Sequence, residues 1–162
     1  MTQIEQVQIA YQEFCDRVRS VILSTVSQEG VPNASYAPFV MDEQQNIYFF
    51  ASGLALHTQN LKDNSQASIL FIEDESKCED IFARPRLSLN CQATFMERET
   101  ETWQQIGDRF EERFGETIQI LRSLPDFRIV KLTPRDGRFV LGFGRVYRIS
   151  REGGDTLTLI TG

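Results

Sequence analysis

The sequence predicts a mainly β fold with peripheral helices, arranged as a closed or nearly closed antiparallel barrel. About seven or eight short runs of β-branched, aromatic or alternating residues are separated by turns containing Gly, Asn or Asp. Helical periodicity is confined to a few segments, and the strand–helix alternation of a doubly wound parallel sheet is absent. The 162 residues are read as one domain, 1–162, with 1–19 forming a helix that packs on the barrel.

The elements follow in order. Ile4, Val7, Tyr11, Phe14 and Val18 recur at spacings of three and four, which makes one apolar helical stripe. Val21–Thr25 is a strand, Gln28-Glu29-Gly30 a turn, and Val31–Val40 a returning strand in which Pro32 and Pro38 mark an edge or bulge. After a turn over Asp42–Asn46, Ile47–Ala51 is a buried strand. Leu54–Lys62 is a short helix and Ala67–Ile72 the next strand, with an acidic loop from Glu73 to Asp80. Arg86–Met96 alternates as a long strand with one buried face. Thr100–Phe114 is an amphipathic helix ended by Gly115. Three strand-like runs follow, Phe127–Leu132, Phe139–Ile149 and Thr156–Ile160, with turns at Arg135-Asp136-Gly137 and Glu152-Gly153-Gly154.

Bulk properties narrow the function. A net charge of −6 argues against nucleic acid as a partner, since phosphate backbones call for surplus Lys and Arg. No apolar run is long enough to span a membrane, and the N-terminus lacks signal-peptide order. Three separated cysteines, Cys15, Cys78 and Cys91, and a single histidine point to a reducing, cytoplasmic setting with no protein-held metal site.

Four segments carry candidate chemistry. In Ala51–Leu61 a strand ends in Ser52-Gly53 and passes into a helix, a junction whose free N–H groups can cradle a phosphate with Ser52, His57 and Thr58 as added donors. The same Ser52 can equally serve as a plain helix cap with His57 on the surface. Arg84-Pro85-Arg86 puts two guanidinium groups at a strand entrance, suited to a phosphate or to the acidic loop nearby. Small residues beside an aromatic in Ala34-Ser35-Tyr36-Ala37 can let a flat ring lie on the backbone, or simply mark curvature. Gly142-Phe143-Gly144 reads as a structural bulge within a strand. His57 is the only imidazole available as a hydrolytic base, but there is no GxSxG elbow and no serine is marked as its partner.

Taken together, Ser35-Tyr36-Ala37-Pro38, Ser52 with Leu56-His57-Thr58 and Asn60-Leu61, Ala83-Arg84-Pro85-Arg86-Leu87, Asp126-Phe127-Arg128 and Gly137–Gly144 resemble the FMN-binding split-barrel superfamily typified by pyridoxamine 5′-phosphate oxidase. The resemblance covers residues 18–149 and is nearest to the heme-utilisation branch, the HugZ/HutZ type.

It implies a six-stranded antiparallel Greek-key split barrel working as a homodimer, with two equivalent sites at the interface, each built from both chains. The cofactor it implies is FMN, acting in a flavin-dependent oxidoreductase on a small-molecule substrate. Ser35 and Tyr36 would flank the flavin ring. Ala51, Ser52, His57, Thr58 and Arg86, with Arg84, would hold its phosphate. The branch implies heme as the alternative, with oxidative ring opening and with His57 and Asp126 paired across the dimer as the catalytic candidates. The branch's axial heme ligand is a tail histidine, whereas this sequence runs to Ile160-Thr161-Gly162 with no histidine after His57. The arginine- and histidine-containing C-terminal motif of the pyridoxamine oxidases is likewise not seen. A non-catalytic protein that stores or senses a cofactor is the third reading.

Overall fold

The computed structural model describes residues 1–152, 154 and 156–160. Helix α1 (Gln3–Arg17) opens with a reciprocal cap: the Thr2 hydroxyl accepts from the Glu5 N–H, and the Glu5 carboxylate accepts from the Thr2 N–H. Its predicted stripe is buried through Val7, Tyr11 and Phe14, and both rings meet Phe139 of the sheet.

The strands are β1 (Ser20–Val26), β2 (Pro32–Pro38), β3 (Val40–Met41), β4 (Ile47–Ser52), β5 (Gln66–Ile72), β6 (Arg86–Phe95), β7 (Phe127–Gly142), β8 (Arg145–Ser150) and β9 (Thr158–Ile160). They form one antiparallel sheet in the order β2-β1-β5-β6-β7-β4-β3, with β8 on β7 and β9 on β8. The two ends of that order, β2 and β3, are consecutive pieces of one stretch of chain. It pairs with β1 as far as Pro38, breaks at Phe39, and pairs with β4 at Val40 and Met41. One bent strand therefore closes the sheet on itself, and β1, β2, β4, β5, β6 and β7 make the six-stranded split barrel. Pro38 suits the break because it gives no N–H to a continuing ladder. The barrel interior holds Leu23, Phe39, Phe49, Phe71, Leu87, Leu89 and Phe139, all fully buried.

A second apolar cluster lies between the sheet and two helices, α3 (Glu101–Phe114) and α4 (Thr117–Ser123). Trp103, Ile106 and Phe110 of α3 and Ile118 of α4 cover Val40, Tyr48 and Ile129 there. No helix among the described residues is long and apolar enough to cross a membrane.

Three local expectations need correction. Arg135-Asp136-Gly137 is not a turn, because β7 runs straight through it. Its partner β6 shifts register there, Asn90 facing Asp136 while Cys91 faces Pro134, so the turn-like composition serves a bulge. Gly137 is needed because a Cβ would overlap the Ser88 carbonyl oxygen on β6. The actual reversal falls inside the predicted strand Phe139–Ile149, at Phe143-Gly144, where Gly144 has φ +68°. Helix α4 was not anticipated. Of the turn placed at Glu152-Gly153-Gly154, Gly153 lies outside the described residues, as do Thr161 and Gly162 of the tail.

Gly137→Ala should therefore destabilise the chain by about 1–3 kcal/mol in chemical denaturation, as overpacking does. Gly142→Ala, where a Cβ meets nothing within 4 Å, should stay within about 0.5 kcal/mol of the parent.

Candidate functional site

The closing strand reaches only part of β4. β3 pairs with Ile47 and Tyr48, so Phe49–Ser52 meet no strand on that side. Helix α2 (Leu56–Asp63) contacts β1, β2 and β4 around this gap. It is anchored by a buried polar pair, the Asn60 amide donating to the Thr25 hydroxyl at 3.0 Å. It is also tied by the Thr58 hydroxyl, which donates to the Ser52 carbonyl at 2.5 Å.

His57 stands in the first turn of α2. Its Nδ1 lies 3.0 Å from the Ser35 hydroxyl of β2, and that hydroxyl lies 3.3 Å from the Leu23 carbonyl oxygen of β1. The imidazole meets the Phe49 ring edge-on at 5.6 Å. Its Nε2 is buried and has no hydrogen-bond partner among the described residues. Desolvation lowers the pKa of His57 below its ordinary 6.5, so the ring is held neutral.

Asp126 approaches the same junction from the turn before β7. Its carbonyl accepts from the Gly53 N–H at 2.8 Å, while the residue itself is exposed. Arg98 clamps that turn by donating to the carbonyls of Arg122 (2.9 Å), Leu124 (3.2 Å) and Phe127 (2.6 Å), with its guanidinium over the Trp103 ring. Nothing in the sequence spacing marks Arg98 for this work, since its targets lie more than twenty residues downstream.

The other candidates are placed as follows. Ser52 does not cap α2; its hydroxyl accepts from the Leu54 N–H at 3.2 Å, and the N-cap is Ala55, with no side-chain hydrogen bond. Thr58 is fully buried with its proton committed to Ser52, so it shapes the loop. Ala51 is fully buried and pairs with Arg128 in the β4–β7 ladder. Strand alternation sends Ser35 inward to His57 and Tyr36 outward, where it faces Ile22 of β1. Arg84 is turned onto the acidic loop, donating to the Glu73 carbonyl at 2.6 Å and lying 3.7 Å from the Glu75 carboxylate. Arg86 donates to the Arg84 carbonyl and meets no carboxylate among the described residues.

Within the chain these residues form two separate groups. Ser52 pairs with Phe127 at the start of β7, and Arg86 with Val140 near its end. Ser35, Ser52, His57 and Thr58 gather around α2 beside Asp126, and the two arginines sit at the other end of the sheet.

The chemistry open to the α2 group is narrow. The Ser35–His57 contact is not a hydrolytic pair, because no carboxylate among the described residues orients the ring's other nitrogen and the hydroxyl is set inside the sheet. The segment 51–59 carries no Lys or Arg, and Leu54 and Leu56 are 92% and 58% exposed on either side of the helix start. Leu54 and Leu56 thus make an apolar ledge at the start of α2, to which 51–59 adds no cation. Burial pushes the Cys15 and Cys91 thiols up to about 12, so neither is a thiolate near neutrality.

Residues 7–141 match the pyridoxamine 5′-phosphate oxidase family. Heme oxygenase HutZ of Vibrio cholerae serotype O1 is 42% identical over 140 residues, covering 86% of this chain and 79% of HutZ. The solved structure of HutZ, described as the heme storage protein from Vibrio cholerae, aligns with a TM-score of 0.79 and 38% identity over 88% of this chain and 99% of that one. Campylobacter jejuni ChuZ aligns with a TM-score of 0.86 and 37% identity over 99% of this chain, which spans 64% of the ChuZ chain.

The lowered pKa of His57 has a sign that can be checked. The unfolded chain takes up a proton at His57 more readily than the folded one, so the stability tied to the neutral ring is complete above about pH 6.5 and is lost as pH falls through the folded value. Unfolding free energies measured from about pH 7.5 to about pH 5 should fall more steeply for the parent than for His57→Gln. Parallel curves would contradict a desolvated imidazole.

Proposed function

This chain is a member of the pyridoxamine 5′-phosphate oxidase family, and from that premise we propose that it binds heme and takes part in heme's oxidative breakdown. The observation that carries the proposal is His57: a neutral imidazole whose Nε2 has no partner among the described residues, in the first turn of a helix whose start exposes Leu54 and Leu56. An apolar ledge with one nitrogen acceptor suits the face of a large planar macrocycle. It does not suit a flavin phosphate, which calls for cations and free donors, and here the Thr58 hydroxyl is spent and no Lys or Arg lies in 51–59. The similarity to HutZ, named a heme oxygenase, supports the same choice of ligand over FMN.

The arrangement gives each residue a part. Leu54 and Leu56 supply apolar contact, and His57 supplies an acceptor nitrogen. Asp126, held by Arg98 and Gly53, supplies an exposed carboxylate at the same junction. In a homodimer built across the barrel, Asp126 of one protomer would face His57 of the other. Arg86, which meets no carboxylate among the described residues, would meet the anionic edge of a ligand shared by the two chains. A carboxylate at Nε2 favours the protonated ring, so the pair would hold a proton beside the ligand that His57 alone does not hold. Heme, when bound, supplies the redox iron and is itself the molecule consumed, which makes it substrate as much as ligand.

The test is breakdown of bound hemin followed by loss of its Soret band with a reductant and O₂ present. Asp126→Ala should retain hemin binding and slow the loss by about 10–100-fold, the usual cost of removing a partner that orients an imidazole. An undiminished Soret band in the parent under these conditions would overturn breakdown and leave storage. Equal rates in parent and variant would remove Asp126 from the account.

A further inference from the structure

The chain from His57 to β1 fixes more than position. Ser35 has one hydroxyl proton, and its oxygen lies between two groups, the Leu23 carbonyl oxygen at 3.3 Å and His57 Nδ1 at 3.0 Å. A carbonyl can only accept. If the hydroxyl proton goes to Leu23, the Ser35 oxygen is left to accept, and Nδ1 must then carry the hydrogen. The state of Nε2 points the same way. It is buried with no partner, and a buried N–H without an acceptor is the rarer and costlier defect, whereas a lone pair facing apolar atoms is better tolerated. The Phe49 ring meets the imidazole edge-on at 5.6 Å, and a ring flip would break the Ser35 contact.

We propose that Ser35 is a positioning residue that locks His57 in the Nδ1–H tautomer, so that Nε2 is presented as an acceptor and never as a neutral donor. The tautomer stands on the protein's own geometry. Only its use at the ligand rests on the heme reading. There the consequence is specific: a carboxylate such as Asp126 can bind Nε2 only if the ring is first protonated, because the neutral tautomer turns a lone pair toward it. Ser35 thereby makes the His57–Asp126 contact conditional on a proton, where the Nε2–H tautomer would allow it in the neutral ring. No residue spacing reveals this, since Ser35 and His57 are twenty-two positions apart and Leu23 lies on a third element.

The chain has a single histidine, so one pair of imidazole nitrogens reports directly. Ligand-free protein labelled with ¹⁵N-histidine is examined by long-range ¹H–¹⁵N correlation at a pH where the ring is neutral. The parent should show a protonated-type shift at Nδ1 and an unprotonated-type shift at Nε2. Ser35→Thr, which keeps the hydroxyl, should retain that pattern, and Ser35→Ala should move toward Nε2–H, the form free histidine prefers in water. An Nε2–H or averaged pattern in the parent overturns the proposal, and so does an unchanged Nδ1–H pattern in Ser35→Ala. If Ser35→Ala does not fold, the parent and Ser35→Thr decide alone, because Nε2–H in either sinks the lock. Since no heme is present, failure here is distinct from failure to bind hemin.

Discussion

One stretch of backbone, Pro32–Met41, has to pair with both ends of the sheet, and the rest of the molecule depends on how it does so. It runs out of β1 at Pro38 and takes up β4 only at Val40 and Met41. Closure is therefore incomplete, and Phe49–Ser52 of β4, paired with β7 on one side, have no strand paired on the other. α2 occupies that side, pinned by Asn60 to Thr25 and by Thr58 to Ser52. The imidazole of α2 meets the hydroxyl of β2 only because the strand that closes the barrel also leaves it split. The turn that holds Asp126 is brought to the same place by β7, whose first residues pair with the open half of β4.

The electrostatic character of this place follows from its residues. The helix start carries the usual partial positive charge, yet its neighbours are Leu54, Ala55 and Leu56. Of the two arginines read as phosphate ligands, Arg86 enters the sheet opposite the far end of β7, and Arg84 just before it is engaged by the acidic loop. The chain thus keeps the apolar, imidazole-bearing group at the start of β7 apart from Arg86 near its end.

Much of the fold was legible in the sequence because the strong signals were local. The stripe of α1, the alternation of β6 and the prolines flanking the closing strand each follow from neighbours within a few positions. Arg135-Asp136-Gly137 misled because turns and bulges recruit the same residues, and what separates them is the Ser88 carbonyl of a different strand. α4 escaped because it is short, has no side-chain cap and buries only Ile118. In the site, the junction at Ser52–Thr58 was readable as a place of interest, but its chemistry was not. The sequence offered Thr58 and Ser52 as donors for a phosphate, and the fold turned the Thr58 proton onto a backbone carbonyl. The partners of His57 and the clamp of Arg98 depend on long-range contacts that no spacing encodes.

The central claim is that the ledge around His57 takes a heme and not a flavin. The direct measurement is a visible absorption titration of the ligand-free protein, carried out separately with hemin and with FMN. The account predicts a saturable, stoichiometric Soret shift with hemin, weakened by Leu54→Asp on the ledge, and no comparable saturation with FMN. Saturable quenching of flavin fluorescence, with hemin giving only the featureless rise of non-specific adsorption, would contradict it.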